Sequence, residues 1–277
     1  MRTIVLTGAS DGIGAAAARR IAAEDSDTRL VLVGRSPEKT RAVAADTGAE
    51  YHLADFTRLD EVRALAAALD ASCERIDVLA NNAGGIFSGP TPTQDGFEKT
   101  FQVNHLAPYL LTHLLIDKLV DSHAAVVNTS SIAARLFGHI DLADLENWKD
   151  FTPNKAYGDA KLANILFTEG LHDHFHDRGL SSVAFHPGNV ATSFASDTTS
   201  PLRRIYHGAL KRLVLITPEQ GGARLLHFIE GKPGQDWRSG QYYGKPGRVG
   251  HTNRQAYDPA LMRAHWERSA EMLDIQW

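Results

Sequence analysis

The sequence predicts an α/β fold, a doubly wound parallel sheet with helices on both faces, in a single domain. Three observations carry that prediction. Short apolar runs recur along the chain, helical patterns of about 10 to 25 residues separate them, and no composition break, repeat or low-complexity tract divides the 277 residues. At this length and 43% hydrophobic content the chain can bury one substantial core. Strands that are apolar on both faces need cover on both sides, which right-handed crossover helices supply.

The elements follow in order. TIVLT (3–7) reads as the first strand and 13–24 as the first helix. LVLVG (30–34), EYHL (50–53), IDVLAN (76–81), AAVVNTS (124–130) and SSVAFH (181–186) read as further strands. Helical patterns occupy 58–72, 95–119 and 155–178. The alternation weakens after residue 190, through SDTTSPLRRIYHGALKRLVLIT (196–217). A helix then starts at TPEQ, with Thr217 as N-cap and Pro218 as first helical residue. A short strand at 241–243 and a final helix over 258–273 complete the chain.

The first strand-to-helix turn is TGASDGIG, residues 7–14. Gly8, Gly12 and Gly14 allow a tight turn and close approach of a pyrophosphate, and the helix N-terminus offers N–H groups and a positive dipole end. A tight turn that binds nothing is the competing reading. The end of the second strand is where a dinucleotide's adenine ribose is read, and an acid there selects an unphosphorylated 2′-hydroxyl. That place holds Gly34, followed by Arg35 and Ser36. A guanidinium pairs bidentately with a 2′-phosphate, so the pattern points to NADP(H) over NAD(H). Asp11, inside the glycine turn, pulls weakly the other way.

AYGDAKLAN carries Tyr157 and Lys161, four apart on one helix face. A tyrosine titrates near ~10, too high for acid–base work at neutral pH, and a neighbouring ammonium lowers that value. Ser130 and Ser131 end the strand AAVVNTSS, where a hydroxyl can donate to a substrate carbonyl oxygen. NNAG (81–84) ends the preceding strand, and VNHLAPYLLT places Asn104 in the following helix.

Composition excludes other classes. Net charge is −4 with no basic stripe, which argues against nucleic acid. Cys73 is the single cysteine, so no internal disulfide forms, as suits a reducing cytoplasm. No apolar run reaches the ~18 residues of a membrane span, and 4–6 is too short for a signal peptide. The expectation is a cytoplasmic protein.

In this order the motifs resemble the main, single-domain subfamily of the short-chain dehydrogenase/reductases. The matching residues are T-G-x-x-x-G-x-G (7–14), Asp55 in LADFT, N-N-A-G (81–84), Asn104, the paired serines, Y-x-x-x-K (157–161) and HPGNVAT (186–192), spanning 3 to about 192. The resemblance implies a Rossmann fold over 1–277, a substrate lid over about 193–216 and a C-terminal helical extension over about 251–277. It assigns Tyr157 to proton transfer, Ser131 to polarising the substrate oxygen, Lys161 to the nicotinamide ribose and to tuning Tyr157, and Asn104 to a water in a proton relay. Gly8, Ser10, Gly12, Ile13 and Gly14 would hold the pyrophosphate, and Arg35 and Ser36 the 2′-phosphate. Asp55 and Phe56 would meet the adenine, Asn82, Ala83 and Gly84 the adenosine ribose side, and Pro187, Gly188, Val190 and Thr192 the nicotinamide carboxamide. Hydride passes directly between nicotinamide and substrate carbon, so no metal is expected. Asn81 is expected to tie strands together, and His186 and Cys73 to be structural.

The long gap between Ser131 and Tyr157, with Trp148 and several acids, resembles the retinol-dehydrogenase-like branch, which implies lipophilic aldehydes, ketones or alcohols as substrates. A protochlorophyllide-reductase-like reading needs a pocket cysteine, and Cys73 lies in the wrong segment. The basic, amphipathic 201–216 reads as a lid, as a peripheral membrane contact or as an oligomer contact. The family resemblance implies homodimers or homotetramers through 95–119 and 155–178. The rival functional readings are an idle NADP(H) sensor or scaffold, and an NAD-dependent alcohol dehydrogenase.

Overall fold

A computed structural model describes residues 1–24, 27–188 and 216–277. Its sheet has eight strands: β1 (Arg2–Thr7), β2 (Thr28–Gly34), β3 (Glu50–Leu53), β4 (Val78–Asn81), β5 (Ala125–Thr129), β6 (Ser181–Phe185), β7 (Gln241–Lys245) and β8 (Arg248–Val249). Their spatial order is β3-β2-β1-β4-β5-β6-β7-β8. All neighbours are parallel except the β7–β8 hairpin at the edge. The chain moves outward from β1 to β3, then returns to place β4 on the other side of β1. That reversal opens a crevice at the carboxyl ends of β1 and β4, where such sheets bind ligands.

Side-chain alternation explains the two layers. In β1, Ile4 and Leu6 join one apolar cluster and Val5 the other. The first cluster is closed by α1 (Gly12–Glu24), α2 (Pro37–Thr47) and a later helix, α9 (Pro218–Glu230). Gly222 makes the α1–α9 approach close, since a Cβ there would lie 2.9 Å from the Ala16 methyl. The second cluster is closed by α3 (Leu59–Ser72), a composite helix over 99–121, α8 (Pro153–Phe175) and α10 (Pro259–Met272).

The helix predicted over 95–119 is real, but it starts at Lys99, ends at Asp121 and is not one piece. It comprises α4 (Lys99–Phe101), a π turn (Gln102–Leu106), α5 (Ala107–Leu114) and α6 (Ile116–Asp121). Its start is fixed by Glu98, whose buried carboxylate accepts from the N–H groups of Thr100 (2.7 Å) and Phe101 (3.0 Å). Pro108 explains the π turn: it has no N–H to return to residue 104. α8 starts at a Thr152 cap and Pro153 and ends at Phe175, with the predicted last turn a 3-10 helix (His176–Arg178). The Thr217 cap forms as read, as a full capping box with Gln220.

Between β5 and α8 the chain makes a short helix, α7 (Ala133–Leu136), then an irregular segment to residue 152. This insertion docks on α8 and on the C-terminal segment. Gly158 lets the two backbones touch, since a Cβ there would lie 2.9 Å from the Ala133 carbonyl oxygen and the Gly138 nitrogen. Gln255 exchanges hydrogen bonds with the Ile140 backbone at 2.8 and 2.9 Å.

Candidate active site

The glycine turn is built against the end of β4. Thr7 Oγ1 donates to the Ala80 carbonyl (3.1 Å) and accepts from the N–H groups of Asn82 (3.0 Å) and Ala83 (3.1 Å). The Asn82 amide donates to the carbonyls of Thr7 (3.1 Å) and Gly8 (3.3 Å). Asn82 therefore braces the turn with its side chain. Gly8 has φ +65°, and a Cβ on it would lie 2.7 Å from the Ala83 Cα. Gly12, Ile13 and Gly14 open α1, which has no acidic residue in its first turn. The turn thus presents a helix N-terminus, suited to a pyrophosphate, to the crevice.

At the end of β2, Gly34 is filled in from both sides. A Cβ there would lie 2.2 Å from Thr40 Oγ1 and 2.9 Å from the Ser10 Cβ. No carboxylate-bearing side chain fits that position as it stands. Ser36 caps α2, accepting from the Lys39 N–H at 3.4 Å, and Arg35 beside it is exposed. Lys39 Nζ sits 2.7 Å from Asp11 Oδ2 and neutralises the acid of the glycine turn. Sequence reasoning missed Lys39 and Thr40, because only the fold brings α2 over the glycine turn. Asp55 Oδ1 accepts from the Thr57 N–H (3.0 Å) and hydroxyl (2.9 Å), and the Phe56 carbonyl accepts from Gln102 Nε2 (3.1 Å).

The chemical groups gather between β4, β5 and α8. Ser130 is buried and donates to the Lys161 carbonyl at 2.7 Å, so its hydroxyl belongs to the core. Ser131 is partly exposed, and its oxygen accepts from the Ala133 N–H at 3.1 Å, which leaves its O–H a donor. The geometry therefore favours Ser131 of the pair. Tyr157 is 8% exposed, and the Lys161 ammonium lies 5.5 Å from its ring centroid. Lys161 Nζ donates to the Thr129 carbonyl at 3.1 Å. Burial pushes the ammonium down to about 7. Gly84 makes room for this group: a Cβ there would lie 2.5 Å from Asn104 Oδ1 and 3.1 Å from Lys161 Nζ.

The Asn104 side chain is fully engaged. It accepts from the Gly85 N–H (3.1 Å) and donates to the carbonyls of Gly85 (2.8 Å) and Thr100 (2.8 Å). A relay water would have to use its backbone carbonyl instead. Asn81 ties strands together as expected, donating to Asn128 (3.0 Å) and Thr112 (3.1 Å). Cys73 caps α3 and is buried.

His186 links two loops. Its Nδ1 accepts from the N–H groups of Ile132 (3.3 Å) and Gly188 (3.4 Å), so the ring proton sits on Nε2. Burial, helped by Arg224, holds the ring neutral, with its pKa near 4. The loop after Ser131 and the Pro187–Gly188 turn are thereby fastened together. Gly188 has φ +100°, and Pro187 is buried. Val190, Thr192, the lid up to residue 215 and most of the 201–216 stretch lie outside the described residues. Among the described residues, no His/Cys/Asp/Glu group could hold a metal, and no helix is long and apolar enough to cross a membrane.

Comparison with known proteins agrees with this architecture. The family model for short chain dehydrogenases matches residues 2–202. A Streptomyces sp. (strain C5) protein provisionally named daunorubicin C-13 ketoreductase DnrU is 35% identical over 97% of this chain and 91% of its own. Mouse retinol dehydrogenase 12 is 34% identical over 100% of this chain and 87% of its own. The crystal structure of an uncharacterised Mycobacterium paratuberculosis protein superposes with a TM-score of 0.77 at 28% identity, covering 100% of this chain and 94% of that one. An oxidoreductase fold for alcohol and carbonyl groups, a nicotinamide crevice and an overall match to these relatives converge: the chain belongs to the short-chain dehydrogenase/reductase family, in its retinol-dehydrogenase-like branch.

Proposed function

We propose that the chain is an NADP(H)-preferring oxidoreductase of lipophilic aldehydes, ketones or alcohols. The observation that carries the cofactor preference is the end of β2. Thr40 and Ser10 fill the space an acidic side chain would need at residue 34, while Arg35 stands beside it and Lys39 neutralises Asp11. A 2′-phosphate would meet the Arg35 guanidinium there, with the Asp11 carboxylate engaged by Lys39.

The residues at the crevice fit a nicotinamide dinucleotide. The glycine-rich start of α1, where Asp11 takes the Gly12 N–H and is paired with Lys39, would hold the pyrophosphate, and hydroxyls and an ammonium gather at the other end. When bound, the nicotinamide supplies or accepts the hydride. The chain's own work is proton handling and orientation. Ser131 donates its O–H to the substrate oxygen and fixes it in place. Tyr157 moves a proton between its hydroxyl oxygen and the same substrate oxygen. The Lys161 ammonium, held by the Thr129 carbonyl, stabilises the charge that develops on Tyr157. His186 keeps the serine loop and the Pro187–Gly188 turn at a constant separation.

The lipophilic substrate class rests on the insertion. Leu136, Phe137, Leu142 and Trp148 expose between 36% and 57% of their surface on a segment that starts one residue after Ser131. It packs on α8 at Gly158, beside Tyr157. The relatives' names, retinol dehydrogenase and ketoreductase, support the same class.

Binding titrations of Arg35→Ala test the cofactor assignment. NADPH affinity should fall about ten- to hundred-fold, the worth of one lost charge-assisted contact, with NADH affinity nearly unchanged. Equal losses for both cofactors would remove the 2′-phosphate role.

A further inference from the structure

The Asn104 backbone carbonyl has a gap in its hydrogen bonding that starts in the sequence. In an α-helix it would accept from residue 108, and residue 108 is a proline. Asn104 is completely buried, where an unmet acceptor is costly. The Asn164 side chain, from α8, takes the place of the missing donor: its Nδ2 lies 3.0 Å from the Asn104 oxygen. The same Nδ2 makes a longer contact, 3.4 Å, to the Thr129 carbonyl, which also holds Lys161 Nζ. One amide group therefore touches both the Asn104 carbonyl and the carbonyl that holds the ammonium.

The orientation of that amide is determined by what lies behind it. Its oxygen can only accept, and it faces His105 Nδ1 at 3.2 Å. His105 must therefore carry its proton on Nδ1 and accept at Nε2. Ser269 Oγ, on α10, lies 3.0 Å from that Nε2 and must donate to it. His105 and Ser269 are completely buried and Asn164 is 4% exposed, so water does not offer an alternative partner. Every donor and acceptor in this chain has one consistent direction, from Ser269 through His105 and Asn164 to the carbonyls of Asn104 and Thr129.

We propose that Asn164 is a positioning residue for the reaction, with its amide oriented by His105 and Ser269, so that the C-terminal helix fixes the Asn104 carbonyl and the Thr129 carbonyl that holds Lys161. The inference rests on the reading that Tyr157 and Lys161 carry the proton chemistry. Loss of the amide leaves the Asn104 carbonyl without its donor and the Thr129 carbonyl unsupported. The ammonium then loses its fixed place, while the glycine turn and the β2 end stay as they are.

Steady-state kinetics and NADPH binding on the full chain test this, with Asn164→Leu, Ser269→Ala, Ser269→Thr and Tyr157→Phe compared at equal folded fraction. Asn164→Leu should lower kcat at least about ten-fold, one buried hydrogen bond's worth, with KM within about two-fold of the parent and any loss of NADPH affinity smaller than the loss in kcat. Ser269→Ala, a mild change that keeps the fold should Asn164→Leu not, should lower kcat several-fold in the same pattern, and Ser269→Thr should restore it by restoring the hydroxyl. Folded Asn164→Leu or Ser269→Ala with unchanged kcat, alongside an inactive Tyr157→Phe, would overturn the inference. Turnover retained by Tyr157→Phe would instead overturn the reading on which it rests.

Discussion

Lys161 is an ammonium with 2% exposure whose described surroundings supply a carbonyl and no carboxylate. Burying it without a counter-charge costs stability, and the cost depends on pH. Its pKa falls from 10.5 in the unfolded chain to about 7 in the fold. Below about 7 the group is charged in both states, and the full cost is present. Between about 7 and 10.5 the folded chain has released a proton that the unfolded chain keeps, so stability rises with pH across that window. Lys161→Met should therefore melt higher than the parent at a pH just below 7, lose that advantage progressively toward pH 10, and lose turnover by orders of magnitude throughout. Thermal melts across the range decide it: an advantage that grows with pH would contradict the assignment. Tyr157, Lys161, Ser131 and the three glycines of the first turn were legible as residues, because spacing and strand ends mark them. Lys39 and Asn164 were not, since each acts on a partner far away in sequence, and Thr40 was not, since only the turn from β2 into α2 sets its hydroxyl against Gly34. Pro108 was the readable signal for Asn164: a proline four residues after Asn104 announces a carbonyl needing another donor.

At the scale of elements, the strand-and-helix alternation was readable because a sheet covered on both faces writes near-continuous apolar runs. The composite helix was not, because periodicity alone cannot show a π turn or the break at Leu115. The insertion between Ser131 and Tyr157 was visible as extra length, but its fastening was not. Asp159 does much of it. Its carboxylate, buried two residues beyond Tyr157, accepts from the His139 N–H at 2.5 Å and pairs with Lys155 at 3.3 Å. Lys155 also donates to Asn147, itself in the left-handed region at φ 60°. Burial raises the Asp159 pKa, and the His139 N–H and Lys155 oppose that rise. Asp159→Ala should release the insertion from α8. KM for an apolar carbonyl substrate should then rise about ten-fold or more, while NADPH Kd stays put. A parallel loss of cofactor affinity in equilibrium titrations would show that Asp159 supports the whole crevice and not the substrate wall alone.

Across the whole molecule, the C-terminal segment closes the second core. Trp266 packs on α8 where Gly170 leaves no side chain, since a Cβ there would lie 2.4 Å from the indole. Tyr109 donates to the Trp266 carbonyl at 2.8 Å and accepts from Trp277 Nε1 at 2.6 Å. One face of α5 and one of α8 thus carry α10 and Trp277 from the same chain. Trp266→Ala removes a buried ring from that seam and should cost about 3–5 kcal/mol, a fall in Tm on the order of 10 °C. A Tm within about 2 °C of the parent would contradict the role given to the C-terminal helix, since a cavity of that size costs more. The final helix was legible from its periodicity and its Asp258–Pro259 start, whereas its docking site depended on which glycine of α8 faced it.

The central claim is a carbonyl/alcohol oxidoreductase that prefers NADP(H) and moves its proton through Tyr157. The most direct test follows oxidation of NADPH and NADH, at matched concentrations, by a panel of medium-chain and aromatic aldehydes and ketones, with the parent chain and Tyr157→Phe side by side. The account predicts turnover with NADPH well above that with NADH, and a fall of at least about a hundred-fold in Tyr157→Phe with NADPH still bound. Equal use of the two cofactors, or turnover that survives in Tyr157→Phe, would contradict it.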